Sequence, residues 1–249
     1  MKKNINIILI LGLFLVMLTG CTKMQNNKKT LEFKEEYEAL NKSDDSSIEY
    51  RKVNIPEDNP YYKISPEEVL KKIENKETFY LYVGDSLCPW CRSVIEKSIE
   101  VAKKNNIEKI YYIDIWDEEG NEIFRDKYVL QNNTPEKIFE GTKEYSKLLD
   151  YFDMLLDEYT LTDSNGEEMS MGEKRIYAPN YFYVENGIAI KMVEGISENQ
   201  ESSTDELTQE ILQDEEKIFE EFFSNTCDSN VCWYIISLIG ARNESIWFY

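Results

Sequence analysis

The sequence contains no histidine among its 249 residues. That excludes Ser–His and Cys–His nucleophilic sites and removes the commonest metal ligand. Catalysis must then rest on cysteine, carboxylate, lysine or tyrosine. Basic residues are scarce as well: 28 Lys and Arg stand against 48 Asp and Glu, a net charge of −20. No basic stripe is present to neutralise phosphates, which argues against a nucleic-acid partner. The acidity itself reads as plain solubility. Long hydrophobic runs are missing. Ile7 to Leu18 is twelve residues, broken only by Gly12, and Val231 to Ile239 is nine, whereas a spanning helix needs about twenty. There is no internal repeat. Cysteine is rare and odd in number: Cys21, Cys88, Cys91, Cys227 and Cys232.

Apolar residues make up 42% of the chain, with 17 tyrosines and 11 phenylalanines, enough for a packed core. The length suits one domain carrying an insertion. At the start, Lys2 and Lys3 precede the Ile7–Leu18 run, and Leu18-Thr19-Gly20-Cys21 follows it. This pattern resembles the lipobox of bacterial lipoproteins, in which the cysteine thiol is acylated and becomes the first residue after cleavage. The resemblance implies a signal peptide over 1–20, lipidation at Cys21, and anchoring to the cell membrane on its extracytoplasmic face. With Cys21 acylated, four thiols remain in two close pairs, and an oxidising compartment allows both to be disulfides.

Residues 21–46 are polar and nearly without apolar periodicity, and read as a flexible tether. The folded domain is expected over 47–225 and a cysteine-bearing tail over 226–249. Ser65-Pro66-Glu67-Glu68 is a helix start with a capping box. Thr78 to Val83 reads as a buried strand, Pro89 to Lys103 as a helix, and Lys109 to Trp116 as a second strand. Two strands joined by a helix imply a parallel pair with a right-handed crossover. Residues 117–172 form an acidic insertion, with a helix predicted from Thr134-Pro135-Glu136 to about Asp157 and a hairpin around Ser164-Asn165-Gly166. Asn186-Gly187 between two apolar runs predicts a further hairpin, with Pro179 at its entry. Ser203-Thr204-Asp205-Glu206 predicts the cap of a closing helix with Leu207, Ile211, Ile218 and Phe222 on one side.

Chemistry points to Cys88-Pro89-Trp90-Cys91, between a strand and a helix. A thiolate at a helix N-terminus is stabilised by unpaired N–H groups and the positive dipole end. A second thiol one turn further on can resolve a mixed disulfide. Cys88 is therefore the candidate nucleophile and Cys91 the resolving thiol. Two other uses fit the same residues: a structural Cys88–Cys91 disulfide, and a zinc site made of Cys88, Cys91, Cys227 and Cys232. Trp90 can line a substrate groove or cover the helix start.

Strand-CxxC-helix over 78–104, Ala178-Pro179 before a strand, the Asn186-Gly187 hairpin and a closing helix resemble the thioredoxin superfamily, over roughly residues 62–225. The resemblance implies an α/β fold. A thioredoxin-like central mixed sheet would be flanked by helices, with the helical and hairpin insertion between its second and third core strands. It implies a cis Pro179 facing the cysteines and an Ala178 whose backbone pairs with substrate. It implies no cofactor and no metal. Within the superfamily, Phe79-Tyr80-Leu81-Tyr82-Val83-Gly84, Gly172 to Pro179 and the C-terminal cysteine pair look like exported bacteriocin transport accessory proteins. That likeness implies cysteine-containing exported proteins or peptides as substrates, and a membrane redox partner or a transporter. An alternative is a non-catalytic accessory lipoprotein that keeps the fold for binding. Cys227 and Cys232 read as a structural disulfide, with a relay pair as the alternative. One departure stands out: the buried acid that thioredoxins carry six residues before the first cysteine is Tyr82 here. Asp85 is nearer but expected on a loop, and Glu96 on the cysteine helix is either a proton acceptor or a solvated charge.

Overall fold

The computed structural model describes residues 28–42, 50–117 and 120–224. The expected signal peptide, Cys21, Cys227 and Cys232 lie outside these residues. No helix among the described residues is long and apolar enough to cross a membrane.

The chain is a mixed α/β structure. Strands β1 (Tyr61–Lys63), β2 (Phe79–Gly84) and β3 (Ile110–Asp114) pair in parallel, with β3 between the other two. Strands β8 (Asn180–Glu185) and β9 (Ile188–Val193) continue the sheet antiparallel from β2, giving the order β1-β3-β2-β8-β9. Alternation along each strand sends side chains to two separate cores. Tyr82, Tyr112 and Tyr181 point to one face. Leu81, Val83, Ile113 and Phe182 point to the other.

Helix α2 (Pro66–Glu74) begins as predicted: Ser65 accepts the Glu68 N–H, and the Glu68 side chain accepts the Ser65 N–H. Its apolar stripe, Val69, Leu70 and Ile73, covers the second face. Helix α3 (Pro89–Lys104) lies on the first face, and α5 (Gln209–Phe223) packs against it. The cap of α5 differs from the expectation. Asp205 is taken up in a turn, accepting the Ser202 N–H at 2.7 Å. Thr208 caps the helix instead, accepting the Ile211 N–H. At the Asn186-Gly187 turn, Gly187 has φ +79°, and a Cβ there would lie 2.4 Å from the Ile73 carbonyl oxygen, so the hairpin sits directly on the end of α2.

Two regions depart further from the sequence reading. Residues 28–39, expected as part of a tether, form a helix (α1) that buries Thr30, Phe33 and Tyr37 against the first face. Phe33 stacks on Tyr61 with ring centroids 4.5 Å apart. The three buried positions share one face of a helix, but Leu31 points outward and the rest are polar, so the stripe is too narrow to stand out. Fully buried Arg92 ties the end of α1 to α3, donating to the carbonyls of Tyr37, Arg51 and Ser86 and to Asn41 Oδ1. The domain thus begins before residue 47.

The other departure is the insertion. Thr134–Phe139, expected to open a helix, is a strand (β5) paired with β4 (Lys127–Gln131). Asn132 and Asn133, with φ +50° and +59°, make the tight turn between them, and Pro135 is tolerated because a two-stranded ribbon has only edges. The helix starts later, as α4 (Lys143–Phe152) capped by Thr142. Its Tyr145, Leu148 and Phe152 join the second core, where Phe152 stacks on Phe182 at 4.2 Å. The helix is therefore a wall of the main core rather than an appendage. The predicted hairpin around Asn165-Gly166 is present as β6 (Glu158–Thr162) and β7 (Glu168–Lys174).

Candidate active site

Strand β2 delivers the site. Its last residue, Gly84, stays small because the Tyr82 ring lies over it: a Cβ there would come 2.2 Å from the Tyr82 hydroxyl. The chain then turns through Asp85-Ser86-Leu87 to Cys88, the N-cap of α3. Cys88 Sγ accepts the Cys91 N–H at 3.2 Å, the role a hydroxyl or carboxylate plays at other helix starts. As a thiol, it donates to the Ala178 carbonyl oxygen at 3.2 Å. The Ala178–Pro179 peptide bond is cis. Cys88, Cys91 and the Ala178-Pro179 turn thus meet in one place, from segments ninety residues apart.

The two sulfurs have opposite environments. The Cys91 thiol, donating to Cys88, holds the Cys88 pKa below the ordinary thiol value against the effect of burial, and the N–H groups of Cys91 and Trp90 add to this. Cys88 is partly open to solvent. Cys91 is fully buried, and burial followed by the neighbouring Cys88 pushes its pKa well up. The Cys88 thiol is thus the more acidic of the two, and the Cys91 thiol the more firmly protonated.

Six residues before Cys88 the structure holds no acid. Tyr82 is buried there, its hydroxyl 2.8 Å from the Tyr37 hydroxyl and beside Cys91. Tyr37 gives its proton to the Asp85 carbonyl, so its oxygen accepts from Tyr82. The carboxyl comes from Asp85, which lies on the loop as expected but is only 3% exposed. Its ligand oxygen and the sulfurs of Cys88 and Cys91 all lie within 4.8 Å of one another. Burial raises its pKa to about 6, opposed by the N–H groups of Cys88 and Leu87, and Oδ1 has no hydrogen-bond partner among the described residues. The same three side chains stand close enough to share a cation. Glu96 faces away, on the exposed side of α3, and accepts the Asn54 N–H at 2.8 Å.

A cavity of about 390 Å³ opens beside Cys88, lined also by Asp85, Leu87, Pro89, Ile115, Trp116, Arg125, Arg175, Tyr177 and Ala178. Trp90 is half-buried and is not part of this wall; Trp116, from the end of the β3 segment, occupies it instead. Arg125 and Arg175 were not singled out by sequence reasoning. The only signal was the position of Arg175, three residues before Ala178-Pro179. No known family model matches the chain.

Proposed function

We propose that this protein is a thiol–disulfide oxidoreductase built on a thioredoxin-like fold, with Cys88 as nucleophile and Cys91 as resolving thiol. The observation that carries the reading is the position of Cys88 Sγ, held 3.2 Å from both the Cys91 N–H and the Ala178 carbonyl next to cis Pro179. The strand order β1-β3-β2-β8-β9, parallel on one side of β2 and antiparallel on the other, supports the fold assignment.

In the reducing direction, the Cys88 thiolate attacks one sulfur of a substrate disulfide. The substrate S–S bond breaks, a Cys88–substrate disulfide forms, and the departing sulfur takes up a proton. Asp85 then accepts the Cys91 proton, and the Cys91 thiolate attacks Cys88 Sγ. The substrate leaves as a dithiol, two electrons richer, and the protein keeps a Cys88–Cys91 disulfide. Every step reverses, so the same residues oxidise a dithiol substrate when the protein starts as the disulfide. The substrate backbone runs as an added strand along Ala178.

The lipobox at Cys21 supports an extracytoplasmic, lipid-anchored location, where cysteine-containing exported proteins or peptides are the substrates and a membrane redox protein or transporter is the partner. The test is a Cys91→Ser variant expressed with its signal. Mixed disulfides through Cys88 should accumulate and vanish on adding Cys88→Ser. If no adduct forms and the double cysteine variant retains full activity in cells, the catalytic reading fails.

One observation favours a second reading, that of a docking protein for a transporter or secreted peptide. Strand β5 is exposed along its whole length and shows Ile138 and Phe139 to solvent. Under that reading, replacing Ile138 and Phe139 by Ser removes the cellular phenotype while the double cysteine variant keeps it.

A further inference from the structure

The cavity beside Cys88 holds two guanidiniums in a protein whose net charge is −20. Arg125 and Arg175 are 8% and 7% exposed. They are close enough for Arg125 to disfavour the charged form of Arg175. One carboxylate oxygen serves both: Glu122 Oε1 lies 2.5 Å from Arg125 Nε and 3.6 Å from Arg175 Nη2. Its other oxygen is shared with Lys127 at 3.9 Å. Backbone carbonyls of Ile176 and Asp126 take one further N–H from each arginine. Asp85 is the one carboxyl on the cavity wall itself; it stands beside the two cysteines and is also drawn by the Arg125 charge. Trp116 adds an indole N–H that is buried and has no acceptor among the described residues.

Two like-charged, nearly buried groups with Glu122 as their shared ion-pair partner, and only the half-protonatable Asp85 acting on Arg125 from the cavity wall, are costly unless another anion completes them. Two guanidiniums and an unpaired indole N–H on one cavity wall are suited to a carboxylate, which accepts two parallel N–H bonds. We propose that this cavity is a subsite for a carboxylate carried next to the reacting cysteine of the substrate. The inference rests on the oxidoreductase reading and adds a substrate class to it: cysteine peptides with an acidic flank. The carboxylate has two sources of the same chemistry, an Asp or Glu side chain beside the cysteine or the C-terminus of a peptide that ends there.

Net charge makes the opposite forecast. A chain at −20 repels acidic peptides at long range, so without a subsite basic peptides should react fastest. The test measures mixed-disulfide formation between the full chain and short peptide disulfides with Glu, Gln or Lys beside the cysteine, each ending as free acid or amide. The Glu peptides should react about tenfold faster than their Gln counterparts, the worth of one charge-assisted hydrogen bond, and Lys peptides slowest. A preference that follows the free acid rather than the side chain assigns the site to a C-terminus. Arg125→Gln and Arg175→Gln should level the series. Because both arginines also brace backbone carbonyls, the ranking on the unaltered chain stands as the primary result. Equal rates across the series, or fastest reaction with Lys peptides, overturn the subsite while leaving the oxidoreductase reading intact. Exchange with none of the peptides overturns that reading and the subsite with it.

Discussion

The two faces of the main sheet are built from different side chains. The face under α2 and α4 is mostly aliphatic and phenylalanine: Leu81, Val83, Ile113, Leu148, Phe152 and Phe182 pack together, with Tyr145 the one tyrosine among its fully buried residues. The face under α1, α3 and α5 is crowded with tyrosines whose hydroxyls bond one another. Tyr37 meets Tyr82 at 2.8 Å, Tyr61 meets Ser98 at 2.7 Å, and Tyr61 reaches Tyr181 at 3.3 Å. Cys91 is buried on this second kind of face. An apolar core stabilises through area removed from water and is indifferent to protonation. A hydroxyl-lined core can give or take hydrogen bonds as a buried thiol changes state, at the cost of requiring every hydroxyl to be satisfied. Both faces bury apolar side chains, but only the tyrosine face brings a network of hydroxyls up to Cys91, where the proposed function places proton transfer.

The largest effect that should break this division comes from the apolar face. Phe182→Ala removes a fully buried ring stacked on Phe152 and should cost about 3–5 kcal/mol in denaturant unfolding. The redox potential of the folded protein should stay unchanged; a moved potential would mean that the faces are not independent.

On the hydroxyl face, Glu215 of α5 is 0% exposed, and both its oxygens lack partners among the described residues. Burial raises its pKa from 4.5 to about 8, against the pull of Lys97 and Arg51. Between those two pH values the native protein holds a proton that the unfolded chain has released. Stability should therefore fall as pH rises through that window, by on the order of 2–4 kcal/mol. Urea unfolding of Glu215→Gln should lack that slope, and an unchanged slope would exclude Glu215 as its source.

Asp85→Asn tests the proton acceptor. Resolution of a preformed mixed disulfide by Cys91 should slow by about 10²-fold, followed by single-turnover release of substrate. In the unaltered protein, the same step should weaken as pH falls through about 6, because a protonated Asp85 cannot accept. The variant should lose that inflection. Cys88 adduct formation should change far less, which separates this role from a general loss of fold.

The smallest effect is expected at Tyr82→Phe. Losing the hydroxyl leaves Tyr37 one donor short and should cost about 1 kcal/mol of stability. The same hydroxyl lowers the Cys91 pKa, so the thiol should titrate higher in the variant, measured by the pH dependence of its alkylation after unlocking with a Cys88→Ser background.

Much of the frame was legible because its causes are local. Ser65 and Glu68 form the capping box that their spacing predicts, and Asn186-Gly187 makes its hairpin turn. The two parallel strands and the helix between them follow from apolar period and run length. Failures occurred where a local signal had two outcomes. Thr134-Pro135-Glu136 is as good a helix start as a strand, and two asparagines able to adopt positive φ tipped it to a hairpin. Phe33 and Tyr37 could not announce a helix because their reason for being apolar lies in Tyr61 and Tyr82, far along the chain.

The sequence by itself determined the Cys88-Pro89-Trp90-Cys91 pair and its place at a helix start, because both depend on neighbours within one turn. Only the tertiary structure decided what surrounds the pair. Asp85 reaches both sulfurs from the loop, Tyr82 is buried beside Cys91, and Arg125 and Arg175 face the cavity in which Trp90 has no part. These assignments depend on side chains brought together by burial across the sheet, and burial is set by packing between distant segments, which no local pattern encodes.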